Sequence, residues 1–114
     1  MRQIVIKVGT SSLIHDDGKR IALRQLASVV ETVGTLHRAG HHVIIVSSGA
    51  VGFGCLQLGL ESKPKDVASL QALAALGQAH LMRQYSDMFA AIGLRCAQVL
   101  LTYGNLANRR EVRA

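Results

Sequence analysis

The sequence predicts an α/β fold, a parallel sheet with helices on both faces, and three observations carry that prediction. Residues 4–8 (Ile-Val-Ile-Lys-Val) and 43–46 (Val-Ile-Ile-Val) are almost unbroken Val/Ile runs, the pattern of strands buried on both faces. A segment of helical periodicity separates them, so the two strands must run parallel through a crossover, expected to be right-handed. Each run then ends in a turn of hydroxyl and glycine residues, Gly9-Thr10-Ser11-Ser12 after the first and Ser47-Ser48-Gly49-Ala50-Val51-Gly52-Phe53-Gly54 after the second. In open parallel sheets ligands bind beyond the carboxyl ends of the strands, which is where both turns fall.

The elements follow in order. After the first turn, His15-Asp16-Asp17-Gly18-Lys19 is an exposed connection, because Asp-Gly favours a tight turn and every residue is polar or flexible. Leu23, Leu26, Val30, Val33 and Leu36 recur at spacings of three and four, which predicts an amphipathic helix with Arg24, Gln25, Ser28, Glu31 and Thr35 toward solvent. Gly40 ends it as a left-handed cap, and Gly34 inside it marks close packing on the sheet. The second strand starts near His42. The second turn leads through residues 56–60 to a long helix signalled by Ser62 and Pro64, with Val67, Leu70, Leu73, Ala74, Gly77, Leu81, Met88, Phe89 and Ile92 on its apolar side and Gly93 closing it. Residues 96–101 read as a third strand, and Asn105 as the cap of a further helix.

At 114 residues the chain fits one small domain, which buries about two thirds of its unfolded surface. Thirteen Lys and Arg against 7 Asp and Glu give a net charge of +6, which raises the possibility of a polyanionic partner. Tyr85, Tyr103, Phe53 and Phe89 are the aromatic residues and do not interleave with the basic ones, so nucleic-acid binding is not expected. Cys55 and Cys96 lack metal or redox spacing and read as reduced packing residues. His37 and His41 have HxxxH spacing, but Gly40 lies between them and no Glu follows His37, so no metal ligand is assigned. No stretch reads as an export signal or a bilayer span, and a cytoplasmic protein without membrane contact is expected.

Backbone N–H groups in Gly/Ser/Thr turns attract anions, and Lys7 adds a positive charge beside the first turn. A lysine within an apolar strand either reaches a partner or snorkels into water, and the residue alone does not choose. Neither GxxxxGK[ST] nor GxGxxG occurs, which argues against the two commonest nucleotide-binding loops. The anticipated ligand is a small molecule bearing phosphate or carboxylate.

Four blocks also carry a resemblance. Residues 4–11 (Ile-Val-Ile-Lys-Val-Gly-Thr-Ser), the stretch Val46-Ser47-Ser48-Gly49-Ala50-Val51, residues 68–78 and residues 97–102 (Ala-Gln-Val-Leu-Leu-Thr) resemble, in that order, the opening of the amino acid kinase family, and within it the branch that phosphorylates the side-chain carboxylate of glutamate. The resemblance implies that residues 1–114 are a partial domain, the N-terminal substrate-binding part of an α/β/α sandwich whose nucleotide-binding part lies elsewhere, and that it is inactive alone. It implies ATP and Mg²⁺ as cofactors, with most of their contacts from that other part, and L-glutamate as acceptor in the first step of proline biosynthesis. Proline as a feedback inhibitor and a homo-oligomeric state belong to the same expectation. By resemblance Lys7 is catalytic and contacts the phosphates together with Gly9, Thr10 and Ser11, while Ser48, Gly49 and Ala50 hold the amino acid. Tyr103-Gly104-Asn105 departs from the arginine and acidic residue that family members often place there. Other branches, acting on aspartate, acetylglutamate or UMP, and a basic binding module without catalysis are the alternatives.

Overall fold

In the computed structural model, which describes residues 1–99, β1 (Gln3–Val8) and β2 (His42–Ser47) pair in parallel, with Gln3 opposite His42 and Val8 opposite Ser47. The crossover between them is α1 (Leu23–Arg38), whose Leu26, Val30 and Val33 are buried as the spacing predicts. Leu23 is exposed, because it sits at the helix entry ahead of the stripe. Gly40 takes φ +91, and the chain turns there into β2. Gly34 packs against the end of a later helix: a Cβ there would stand 2.8 Å from Ile92 Cδ1, so its close neighbour is not the sheet.

Two further helices follow, α2 (Ala50–Leu58) and α3 (Val67–Ala91). The sequence reading treats residues 50–58 as turn and connection, and the structure corrects it. Gly54 and Gly77 explain how α2 lies so close to α3: a Cβ on Gly54 would overlap the Leu73 carbonyl, and one on Gly77 the Ala50 carbonyl. The start of α3 is set by Asp66, whose carboxylate accepts the Ser69 N–H at 2.9 Å; Ser62 and Pro64 lie ahead of the helix. Its buried stripe is Leu73, Gly77, Leu81, Tyr85 and Phe89, a strict repeat of four.

Val8, Leu13, Leu26, Val30, Phe53, Leu81, Tyr85 and Phe89 form one core between one face of the sheet and the helices. The α/β class with a parallel sheet is as expected. Helices on both faces are not found among the described residues: the burial alternates along each strand, and Val5 (61% exposed), Ile44 (44%) and Val46 (51%) lie open on the other face. Residues 96–99 pair with no strand among the described residues; the rest of the expected third strand and Asn105 lie outside them. Cys96 is exposed, contrary to a packing role, and Cys55 is half-buried.

Candidate functional site

Ser48 N–H donates to the Val8 carbonyl at 2.9 Å, one step past the last strand pair, so both chains leave the sheet at the same edge. After β1 the chain makes a single 3-10 turn, Thr10–Ser12, closed by Ser12 N–H to Gly9 O (3.1 Å) and Leu13 N–H to Thr10 O (2.9 Å). Leu13 and Ile14, the next two residues, are buried in the core and fix that turn in place. After β2, Gly49 adopts φ +104, a conformation that strains any residue with a Cβ, and α2 starts at once. No side chain caps α2, so its first N–H groups remain available to an acceptor outside the helix.

The two turns touch. A Cβ on Gly49 would stand 3.8 Å from Thr10 Oγ1 and 3.5 Å from Leu13 Cδ1. Over this junction opens a cleft of about 940 Å³, with Thr10, Ser11, Ser48, Gly49 and Ala50 in its wall. The hairpin loop that follows Ile14, tied by the antiparallel bridge of Ile14 to Ile21, forms a second wall, and residues 60–63 form a third.

Five of the seven residues singled out by sequence therefore share one cleft. The other two, Lys7 and Gly9, do not line it. Lys7 is exposed opposite Val46, and the alternation of the strand puts its side chain on the open face of the sheet. Its backbone is nonetheless adjacent to Val8, which holds Ser48. Gly9 has φ −83 and ψ 163, extended backbone that any residue adopts, and a Cβ there would meet nothing within 4 Å. The fold itself does not require glycine at this position.

Sequence reasoning missed several residues of the cleft. Lys19 and Lys63 bring positive charge to its rim, alongside Asp16, Asp17 and Glu61, and nothing in their spacing announces this. Asp17 is already engaged: its Oδ1 accepts the Lys19 N–H at 2.9 Å and its Oδ2 lies 3.5 Å from Arg20 Nε. The backbone hydrogen bond, with Arg20 and His15 nearby, holds its carboxyl below the ordinary value, despite some opposing desolvation. Ser47 is the other omission. Its hydroxyl donates to the Ser48 carbonyl at 3.1 Å and lies 3.1 Å from the Tyr85 hydroxyl. Burial pushes the Tyr85 phenol up, partly offset by the Ser47 hydrogen bond. His80 sits edge-on to Phe53, ring centroids 5.3 Å apart, with Nδ1 buried and unpartnered.

Among the described residues no three His, Cys, Asp or Glu side chains gather as a metal site. His41 Nδ1 instead accepts the Arg2 N–H at 3.1 Å. No helix among the described residues is long and apolar enough to cross a membrane.

Residues 2–114 match the model of the amino acid kinase family. The chain is 50% identical over 108 residues to a glutamate 5-kinase of Synechococcus elongatus, covering 95% of this chain and 29% of that protein. It is 52% identical over 106 residues to a glutamate 5-kinase of Acaryochloris marina (93% and 29%) and 49% identical over 106 residues to one of Microcystis aeruginosa (93% and 28%). The chain thus spans under a third of the length of these curated relatives. With two hydroxyl-lined turns meeting at the carboxyl edge of a parallel sheet and a family match along nearly its whole length, this chain belongs to the amino acid kinase family.

Proposed function

We propose that the chain is the N-terminal, glutamate-binding part of an ATP-dependent glutamate 5-kinase, which makes γ-glutamyl phosphate and opens proline biosynthesis. One observation carries this reading: Thr10 and Ser11 from one strand end meet Ser48, Gly49 and Ala50 from the other in a single cleft, within a sequence half identical to curated glutamate 5-kinases. A site for two anionic ligands needs two sets of donors side by side, and paired parallel strands supply them.

The acceptor is a carboxylate with an ordinary pKa of about 4.3, ionised at neutral pH, so no general base is required. Its oxygen attacks the γ-phosphorus, the bond to the β-phosphate oxygen breaks, and ADP leaves with the electron pair. The protein's task is to bring two anions together and to neutralise their repulsion. In this reading the Ser48 hydroxyl and the uncapped N–H groups of α2 hold glutamate, while the Thr10 and Ser11 turn faces the transferred phosphoryl group. Gly9 leaves space for the nucleotide. Lys7, on its flexible stem at the strand end, extends over the edge to the phosphates. Mg²⁺ arriving with ATP would supply further charge neutralisation when bound, held mostly by groups outside this chain.

The test is a coupled assay on a complete kinase carrying this chain, with glutamate, aspartate, acetylglutamate and UMP as acceptors. Glutamate should be strongly preferred. Preference for any of the other three overturns the assignment.

A further inference from the structure

The hydrogen bonds around Ser47 have only one consistent direction. A serine hydroxyl carries a single proton, and that of Ser47 is given to the Ser48 carbonyl at 3.1 Å. The Tyr85 hydroxyl, 3.1 Å from Ser47 Oγ, must then be the donor to it. The result is a relay from the phenol to Ser47 to the Ser48 carbonyl. Tyr85 is anchored well for this purpose: it is 5% exposed, lies in the buried stripe of α3 and stacks on Phe89 with ring centroids 6.3 Å apart. The phenol, ordinarily titrating near 10 and pushed further up by burial, is protonated and hence a donor throughout the neutral range.

Ser48 is thereby held at both ends of its backbone, its N–H by Val8 O at 2.9 Å and its carbonyl by Ser47. In a planar trans peptide the Gly49 N–H points opposite to the Ser48 carbonyl. Whatever fixes that carbonyl therefore fixes the Gly49 N–H in the cleft wall. We infer that Tyr85 is a positioning residue for the acceptor site: acting through Ser47, it sets the orientation of the Ser48–Gly49 peptide and so the affinity for the acceptor amino acid. Tyr85 does not touch the substrate, and its role rests on the glutamate 5-kinase reading.

The experiment compares Tyr85→Phe, Ser47→Ala and the double variant in a complete kinase carrying this chain. Tyr85→Phe keeps the ring and its stacking and removes only the donor. It should raise the glutamate KM roughly 2- to 10-fold, the value of one net hydrogen bond, with the ATP KM unchanged. Because the two hydroxyls act in series, the double variant should be no worse than Ser47→Ala alone. A Tyr85→Phe enzyme with a lower melting temperature but an unaltered glutamate KM, equal rises in both KM values, or additive effects would each overturn the inference. The amide nitrogen-15 shifts of Ser48 and Gly49 give a readout independent of turnover: Tyr85→Phe and Ser47→Ala should displace them in the same direction, and the double variant should add nothing. If the parent protein prefers another acceptor, the glutamate assignment fails and the KM comparison is made on that acceptor. If it phosphorylates none, the kinase reading fails, and unchanged shifts in Tyr85→Phe then overturn the relay on their own.

Discussion

The Ser48 N–H and the Val8 carbonyl are joined by a 2.9 Å hydrogen bond that ties the exit of β2 to the exit of β1. Through this bond the two turns share an origin, and Thr10 and Gly49 come to lie side by side. The cleft is a consequence of strand register; slipping the pairing by one residue would also turn Ser47 from the core face to the open face.

Replacing Ser48 by Ala tests the acceptor side. The variant should keep its fold, since the Ser48 side chain is exposed. Loss of a hydrogen bond to a charged carboxylate should raise the glutamate KM on the order of 10- to 100-fold, with a smaller effect on the ATP KM. Steady-state kinetics in a complete kinase carrying this chain decides, and the reverse pattern would move the acceptor elsewhere.

Lys7→Ala separates chemistry from packing. Because Lys7 is exposed, the melting temperature should barely move, as for surface substitutions worth within about 0.5 kcal/mol. Loss of a charge that neutralises the moving phosphoryl group should lower kcat by about a hundredfold or more. Near-normal kcat would remove Lys7 from the site.

Glycine at positions 9 and 77 serves different ends. A Cβ at Gly77 would overlap the Ala50 carbonyl, a backbone atom that cannot step aside without moving the start of α2. Gly77→Ala should therefore destabilise by at least about 1–3 kcal/mol in urea unfolding and weaken glutamate binding with it. At Gly9 a Cβ meets nothing within 4 Å, so Gly9→Ala should unfold at the same urea concentration as the parent. Any loss of activity there reports on the approach of a ligand. A stable Gly77→Ala protein with unchanged KM values would contradict this account of α2.

Acid should loosen α3 through its cap. The Ser69 hydroxyl first, and then its backbone N–H, hold the Asp66 carboxyl below its ordinary 3.8. A folded value lower than the unfolded one means a contribution that is present above the unfolded pKa and fades as pH falls through the folded pKa. Asp66→Asn keeps a capping acceptor but cannot ionise. Its urea midpoint should consequently fall less than that of the parent between pH 7 and pH values beneath the ordinary carboxylate range. Identical pH dependence would show that the carboxylate charge contributes nothing.

The paired strands and their crossover are legible in the sequence because Val/Ile runs and a spacing of three and four leave few alternatives. Burial of both sheet faces is a different matter: the apolar Val5, Ile44 and Val46 show that a face suits burial, without showing that a helix among these residues covers it. Helix α2 escapes notice because Gly52 and Gly54 normally weaken a helix, and their reason for being there, the contact of Gly54 with α3, is tertiary. Tyr85 could have been found from the repeat of four through Leu73, Gly77, Leu81 and Phe89, but its link to Ser47 joins residues 38 apart and has no local signature. The turns themselves were visible, and their meeting was foreseen for five residues; the outward side of Lys7 follows from strand parity, which an apolar run obscures.

A crystal structure of a complete kinase carrying this chain, with glutamate and a non-hydrolysable ATP analogue bound, places the two ligands relative to the two turns. Glutamate should lie against Ser48, Gly49 and Ala50 with its side-chain carboxylate toward Thr10 and Ser11, and the γ-phosphate should stand next to it within reach of Lys7. Glutamate bound away from residues 48–50, or a γ-phosphate remote from the Thr10–Ser12 turn, would contradict the idea that these two strand ends form one phosphoryl-transfer site.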